Sequence, residues 1–235
     1  MKLAIMQPYV FPYIGYFQLA AAVDRFVFYD DVNYIKNGWI NRNRMLIGDQ
    51  VHYLTVPLVR ASSSLKICDV QIQPREQWLR KLLESIRHAY AKAPHYTSVS
   101  ELIGSIFATP TGRISVLASH SVTEICRYLD MDTTFVPTSS DYANTHLKGE
   151  ERVLDICRQE GARTYVNLPG GRDLYSPARF ATAGLEISFI EPELRPYPQS
   201  AQSGSNFHPA LSILDVLMYN SRDEVKDMLG VRVTT

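Results

Sequence analysis

Neither sign of charge predominates in this chain: 24 Lys and Arg balance 24 Asp and Glu. That balance excludes the global field by which strongly basic proteins collect nucleic acid or anionic membranes, and it confines any such role to a local cluster. Cysteine is scarce. Cys68, Cys126 and Cys157 stand far apart, odd in number and with no CxxC pair. That usage argues against a disulfide framework and, with six scattered histidines, against a structural zinc site. No run of eighteen apolar residues occurs, and Met1-Lys2 leads straight into a strand candidate, so neither a membrane span nor a signal peptide is expected. The expectation is a cytoplasmic protein with reduced thiols. HExxH, GxSxG and GxxxxGK[ST] are missing too, which argues against a zincin, an α/β-hydrolase and a P-loop enzyme.

What is present is an ordinary globular composition, 46% hydrophobic and 20% charged, enough to bury a core over 235 residues. Strand candidates are Leu3–Met6, Arg25–Tyr29, Val51–Pro57, Thr133–Val136, Thr164–Asn167 and Glu186–Ile190, each short and bounded by turn residues. Leu79, Leu82, Leu83, Ile86 and Tyr90 recur at helical spacing, as do Leu102, Ile103, Ile106 and Phe107. A third helix carries Ile114, Leu117, Val122, Ile125 and Leu129; a fourth runs from Leu147 to Glu160 and ends at Gly161. Strand–helix–strand order predicts one α/β domain over 1–235, an open and mostly parallel Rossmann-like sheet flanked by helices. Residues 58–110, rich in helix and poor in strand, are expected as a helical cap insertion. Residues 191–209 have no periodicity and are expected as a long lid-type loop.

Three stretches gather chemistry after strand candidates, where open parallel sheets bind ligands. The loop from Gln7 to Tyr16 (QPYVFPYIGY) joins the first strand to a helix N-terminus, where free N–H groups and the helix dipole attract anions. Its pattern resembles the QPxHxGH loop of adenylyl-transferring enzymes, with Tyr13 and Tyr16 at the histidine positions; that likeness suggests ATP with Mg²⁺ as an activator. Gln7, Tyr13, Gly15 and Tyr16 are the candidates here, while Tyr9 and Phe11 also read as plain packing at the sheet edge.

The second stretch runs from Phe28 to Arg44. Asp30 and Asp31 directly follow the second strand candidate, and a carboxylate pair there can orient an amine, act as a base or bind a metal. Lys36, Arg42 and Arg44 add cations, Asn41 and Asn43 add amides, and Trp39 adds a stacking surface. A polar hairpin with surface ion pairs is the plainer reading of the same residues. The third stretch, Asn167 to Tyr175, contains Gly170-Gly171 and Arg172. Paired glycines let backbone approach a ligand and can form an anion nest, or an ordinary tight turn. Later, His208 precedes an apolar helix expected from Pro209 and could transfer protons near neutrality. Asp215, inside that helix, needs a cation or backbone partner if buried.

Residues 6–19 (MQPYVFPYIGYFQL) and 24–44 (DRFVFYDDVNYIKNGWINRNR) resemble the WbqC-like protein family. So do ERVLDIC at 151–157, GARTYVNLPGGRDLY at 161–175 and LSILDVLMYN at 211–220. The likeness spans nearly the whole chain. It implies a place in bacterial surface-polysaccharide loci, where amino sugars are decorated, or in specialised biosynthesis. From that follows the leading expectation, a transferase forming an amide by acyl or aminoacyl transfer to an amine such as an amino sugar. Asp30 or Asp31 would take the amine's proton, with Lys36 and His208 as further catalytic candidates, and Arg42 and Arg44 would hold the donor. The donor is an activated acyl group, with aminoacyl-tRNA or a carrier protein among its possible bearers. An ATP- and Mg²⁺-using nucleotidyltransferase and a non-catalytic binding module of a biosynthetic assembly are the alternatives.

Overall fold

The computed structural model describes residues 1–199, 206–231 and 233–234. The chain opens with β1 (Lys2–Met6), passes through the Pro-rich loop into α1 (Ile14–Ala21) and returns as β2 (Arg25–Phe28). A hairpin follows, β3 (Arg42–Ile47) with β4 (Gln50–Thr55), and then the short pair β5 (Leu58–Val59) and β6 (Gln71–Ile72). Helices α2 (Leu79–Tyr90), α3 (Tyr96–Ala108) and α4 (Ile114–Tyr128) lead to β7 (Thr134–Val136). The remainder is α5 (Gly149–Gln159), β8 (Thr164–Asn167), α6 (Pro177–Thr182), β9 (Glu186–Ile190), α7 (Ile213–Tyr219), α8 (Arg222–Met228) and β10 (Val233–Thr234).

Six strands form the main sheet in the order β10-β9-β8-β1-β2-β7. All neighbours are parallel except the edge pair β9–β10. Without that edge strand, the order along the sheet is the doubly wound one, and it reverses between β1 and β8. The open, mostly parallel Rossmann-like arrangement is therefore as the element order predicted.

Alternation along each strand builds a core on both faces. Ala4, Phe26, Phe28 and Val166 pack with α1, α4, α7 and α8 on one side. Leu3, Ile5, Val27, Tyr165 and Ile187 pack with α5 and α6 on the other. Helices α2 and α3, from the expected cap stretch, join the first of these cores through Leu82, Ile86, Val99 and Ile106.

Two local expectations change. The strand expected at Val51–Pro57 is β4, and it lies outside the main sheet, paired antiparallel with β3 in full register from Arg42↔Thr55 to Ile47↔Gln50. Strand β3 was not expected, because its two arginines and an asparagine obscure the alternation. The last apolar helix begins at Ile213 rather than Pro209, because Ser212 caps it by accepting from the Leu214 N–H at 3.3 Å. Gly161, at φ 64°, does end α5 in the left-handed conformation.

Gln18 of α1 is fully buried and fastens the chain's later part to the sheet. Its amide donates to the carbonyls of Glu193 (2.9 Å) and Met228 (2.7 Å) and accepts from the Glu193 N–H (3.1 Å). So the expected lid stretch, over 191–199, is tied to α1; residues 200–205 of that stretch lie outside the described residues. Gln18→Leu keeps the volume and removes three hydrogen bonds to backbone. We expect a loss of about 2–4 kcal/mol, measured by urea unfolding, with unchanged circular dichroism at low denaturant.

Candidate functional site

Parallel strands end at a common edge, and the residues just past β2 and β7 meet there as a carboxylate junction. Ser139 organises it. Its hydroxyl accepts from the N–H groups of Asp30 (3.2 Å) and Asp31 (3.4 Å) and donates to Asp31 Oδ1. Asp30 Oδ1 accepts from the Thr138 hydroxyl (2.7 Å) and the Ser139 N–H (3.1 Å). Asp31 Oδ2 accepts from Arg152 of α5 at 2.5 Å, within a pair only 2% and 4% exposed. Arg152 is itself held by Asn144 (2.8 Å) and lies 5.0 Å over the Tyr29 ring.

The adjacent acids thus differ in kind. Burial raises the Asp30 pKa, and the bonds from Thr138 and Ser139 offset only part of that rise. Burial acts on Asp31 in the same sense, but hydrogen bonds from Arg152 and Ser139 and the charges of Arg152 and Lys66 outweigh it, so its carboxyl stays below the ordinary value. Asp30 is the acid that can hold a proton; Asp31 is an ion-paired anchor. Cys68 is close by: its N–H donates to the Asp30 carbonyl, and burial with the neighbouring acids raises its thiol pKa, away from nucleophilic thiolate.

At the reversal between β1 and β8, Gln7 and Asn167 stand at the two strand ends. Asn167 is buried, and its side-chain Oδ1 accepts from the Leu168 N–H at 2.7 Å. The Pro169–Leu174 segment is a short 3-10 helix, so Gly170 and Gly171 form neither a left-handed nest nor a simple tight turn. A Cβ at Gly171 would lie 2.5 Å from Asn167 Nδ2, so a larger residue there would have to displace that buried amide; Gly170 has open space. Arg172 is exposed and linked to Glu191 at 3.0 Å beside the end of β9.

The opening loop contributes mostly core. Val10, Phe11 and Tyr16 are fully buried, and the Tyr16 hydroxyl donates to the Gln7 carbonyl at 2.9 Å. Gly15 lies where a Cβ would strike the half-buried Tyr13 ring. The hairpin stretch divides into supports and surface. Buried Asn41 accepts from the Tyr34 hydroxyl (2.8 Å) and donates to the Val56 carbonyl (2.8 Å), and Asn43 donates to the Val10 carbonyl. Lys36 and Trp39 are exposed, Arg42 and Arg44 half-buried.

His208 lies apart from this junction in the bonding pattern, its N–H and C=O paired with the Gln199 amide. It faces the Asp215 cluster. Asp215 is fully buried, and its partners are two phenols, Tyr197 (2.8 Å) and Tyr90 (2.9 Å), rather than the cation or backbone group expected. Burial raises its pKa to about 6 against the lowering by these bonds and by His208.

Beside the junction, α4 and β7 enclose a cavity of about 680 Å³. Phe28, two residues before Asp30, and Pro137, next to Thr138, line it together with Phe135 and Met131. On its helical wall Thr109 Oγ1 lies 2.9 Å from His120 Nε2, and His120 Nδ1 lies 3.6 Å from Glu124. The size suits a small organic ligand. Thr138, Ser139, Arg152 and Lys66 escaped the sequence reading. Thr138 and Ser139 had a signal, a polar pair directly after a parallel strand; Arg152 had a weaker one, sharing a helix face with Ile156. Among the described residues no three His, Cys, Asp or Glu side chains converge as a metal set.

The doubly wound order of the main sheet, with polar groups collected past its carboxyl edge, makes this an α/β protein of open Rossmann-like type. The chain belongs to the WbqC-like protein family, whose model matches residues 7–227. It is 30% identical over 230 residues to an uncharacterized protein of Mycobacterium tuberculosis, Rv1507c, covering 97% of each chain. No solved structure matches. No helix among the described residues is long and apolar enough to cross a membrane.

Two stability predictions follow from the charges. Arg152→Ala leaves the Asp31 carboxylate buried and unpaired, and we expect it to cost about 3–5 kcal/mol in chemical unfolding. Asp215 binds its proton more tightly folded than unfolded, so its contribution is full below pH ~4 and is lost as pH rises through about 6. The change is about 3 kcal/mol. The parent protein's melting temperature should fall between pH 4.5 and 7.5, and Asp215→Asn should flatten that fall.

Proposed function

We propose that this protein forms an amide by transferring an activated acyl or aminoacyl group to an amine substrate, such as an amino sugar. The observation that carries the reading is the asymmetry of the junction: Asp30 is buried with a raised pKa, while Asp31 beside it is neutralised by Arg152. A carboxylate of that kind attracts an ammonium group and binds it; once that group has released one proton to water and become a free amine, the carboxylate takes a second as the nitrogen attacks a carbonyl carbon. Low dielectric strengthens both effects. The cavity along α4 and β7 offers room for the acceptor. Family membership supports a role in biosynthesis on the strength of the resemblance alone.

The nucleotidyltransferase reading needs both acids for Mg²⁺. Asp31 has its oxygens engaged by Ser139 and Arg152, which leaves one carboxylate and a poor donor set. The acyl-transfer reading therefore has the better support.

Asp30→Asn is a fair test because Oδ1, which takes both hydrogen bonds, is retained. With amino sugars and acyl adenylates, thioesters or acylated RNA offered as donors, mass spectrometry should detect the amide from the parent protein. The variant should lose at least about a hundredfold in turnover with little change in melting temperature. Because the base must be ionised, the parent rate should climb with pH through a value above the ordinary Asp range. Full activity of Asp30→Asn, or pyrophosphate release with a nucleotidylated product, would sink this reading.

A further inference from the structure

The hairpin carries a surface that neither the core nor the carboxylate junction uses. Arg42 and Arg44 alternate along β3 and so share a face, and Arg44 stands directly across the ladder from Tyr53. The Arg42 guanidinium lies 4.5 Å from the Tyr53 ring centroid, and that of Arg44 lies 5.6 Å from Trp39. The two rings are 6.5 Å apart. Tyr53 and Trp39 nevertheless stay 52% and 39% exposed, so large aromatic area is held in water rather than in the core.

Carbonyls set these arginines in place without neutralising them. Arg42 donates to the carbonyls of Gly38 (3.2 Å) and Asn37, and Arg44 to that of Ala210 (2.8 Å). The field here is positive although the chain as a whole is neutral. Residues 32–60 hold Lys36, Arg42, Arg44 and Arg60 against one acid, Asp49.

We propose that this face binds single-stranded RNA, namely the unpaired 3′ end of an RNA carrying the acyl group as an ester. Exposed rings offer stacking to unpaired bases of any sequence, and forked guanidiniums suit phosphates. A patch this small engages a few nucleotides, and the neutral remainder of the chain gives a duplex little to hold. An acidic protein partner would use the cations but would have no call for the rings. The donor assignment rests on the acyl-transfer reading; the RNA binding does not. In the transfer step the amine nitrogen attacks the ester carbonyl carbon. A C–N bond forms, the C–O bond to the terminal ribose breaks, and the amine proton passes through Asp30 to the departing ribose oxygen. No nucleoside triphosphate is consumed.

Fluorescence anisotropy with a labelled single-stranded RNA dodecamer ending in CCA tests the binding without turnover. Binding should weaken with salt at a log–log slope of about −2, as phosphate contacts by Lys36, Arg42 and Arg44 on a single strand imply. Trp39→Ala and Tyr53→Ala should each weaken it by about tenfold or more. Their melting temperatures should not move, because both side chains are exposed. No binding, equal binding of a blunt duplex, or unchanged affinity in both variants overturns the proposal. Competition by polyglutamate as effective as that by unlabelled RNA assigns the face to an acidic protein and also overturns it. RNA binding with no amide from acylated RNA defeats the donor assignment alone. Amide formed from a thioester by a protein that binds no RNA leaves the enzyme reading standing without this one.

Discussion

Parallel pairing of β1 with β2 on one side and β8 on the other is the constraint from which the site follows. A parallel neighbour cannot be reached by a tight turn, so each connection must cross a face of the sheet and re-enter at the same end. Every strand then delivers its next residues to one edge. With β1 central, connections leave it in opposite directions, and Gln7 and Asn167 stand at the ends of the two strands where they diverge. Asp30 and Ser139 arrive side by side for the same reason, although 109 residues separate them along the chain.

Buried polar groups do the fastening, and each is answered by a partner of suitable kind. Gln18 answers three backbone groups, Ser139 ties two strand ends, and Asp215 is held by two phenols. Arg152 and Asp31 are the costlier device, since both charges leave water and each depends on the other. That dependence also frees Asp30: with its neighbour's charge compensated, burial rather than repulsion between acids dominates its protonation. Stability at the junction and the protonation of Asp30 are in this sense one arrangement.

Much of the architecture was legible in the chain. Short apolar runs alternating with helical periodicity imply the parallel sheet, and the rule that ligands gather past strand ends draws attention to Asp30 as a candidate. The QPYVFPYIGY loop shows where that logic stops. Its aromatics read equally as ligand contacts and as packing, and packing largely prevails because Val10, Phe11 and Tyr16 are fully buried. Strand β3 was hidden for the opposite reason: the half-buried face that Arg42 and Arg44 form carries no hydrophobic period.

Composition, periodicity and turn chemistry, all local properties, were sufficient to determine the α/β class, the helix faces and the positions of the acids relative to strand ends. The difference between Asp30 and Asp31 was not among them. Two identical side chains in sequence acquire opposite pKa shifts because Arg152, Thr138 and Ser139 approach from distant parts of the chain, and desolvation depends on everything packed nearby. The same holds for the ring-and-guanidinium face of the hairpin, which exists only once β4 sets Tyr53 opposite Arg44. Electrostatic environment and stacking are properties of neighbours in space, and only the tertiary structure chooses those neighbours.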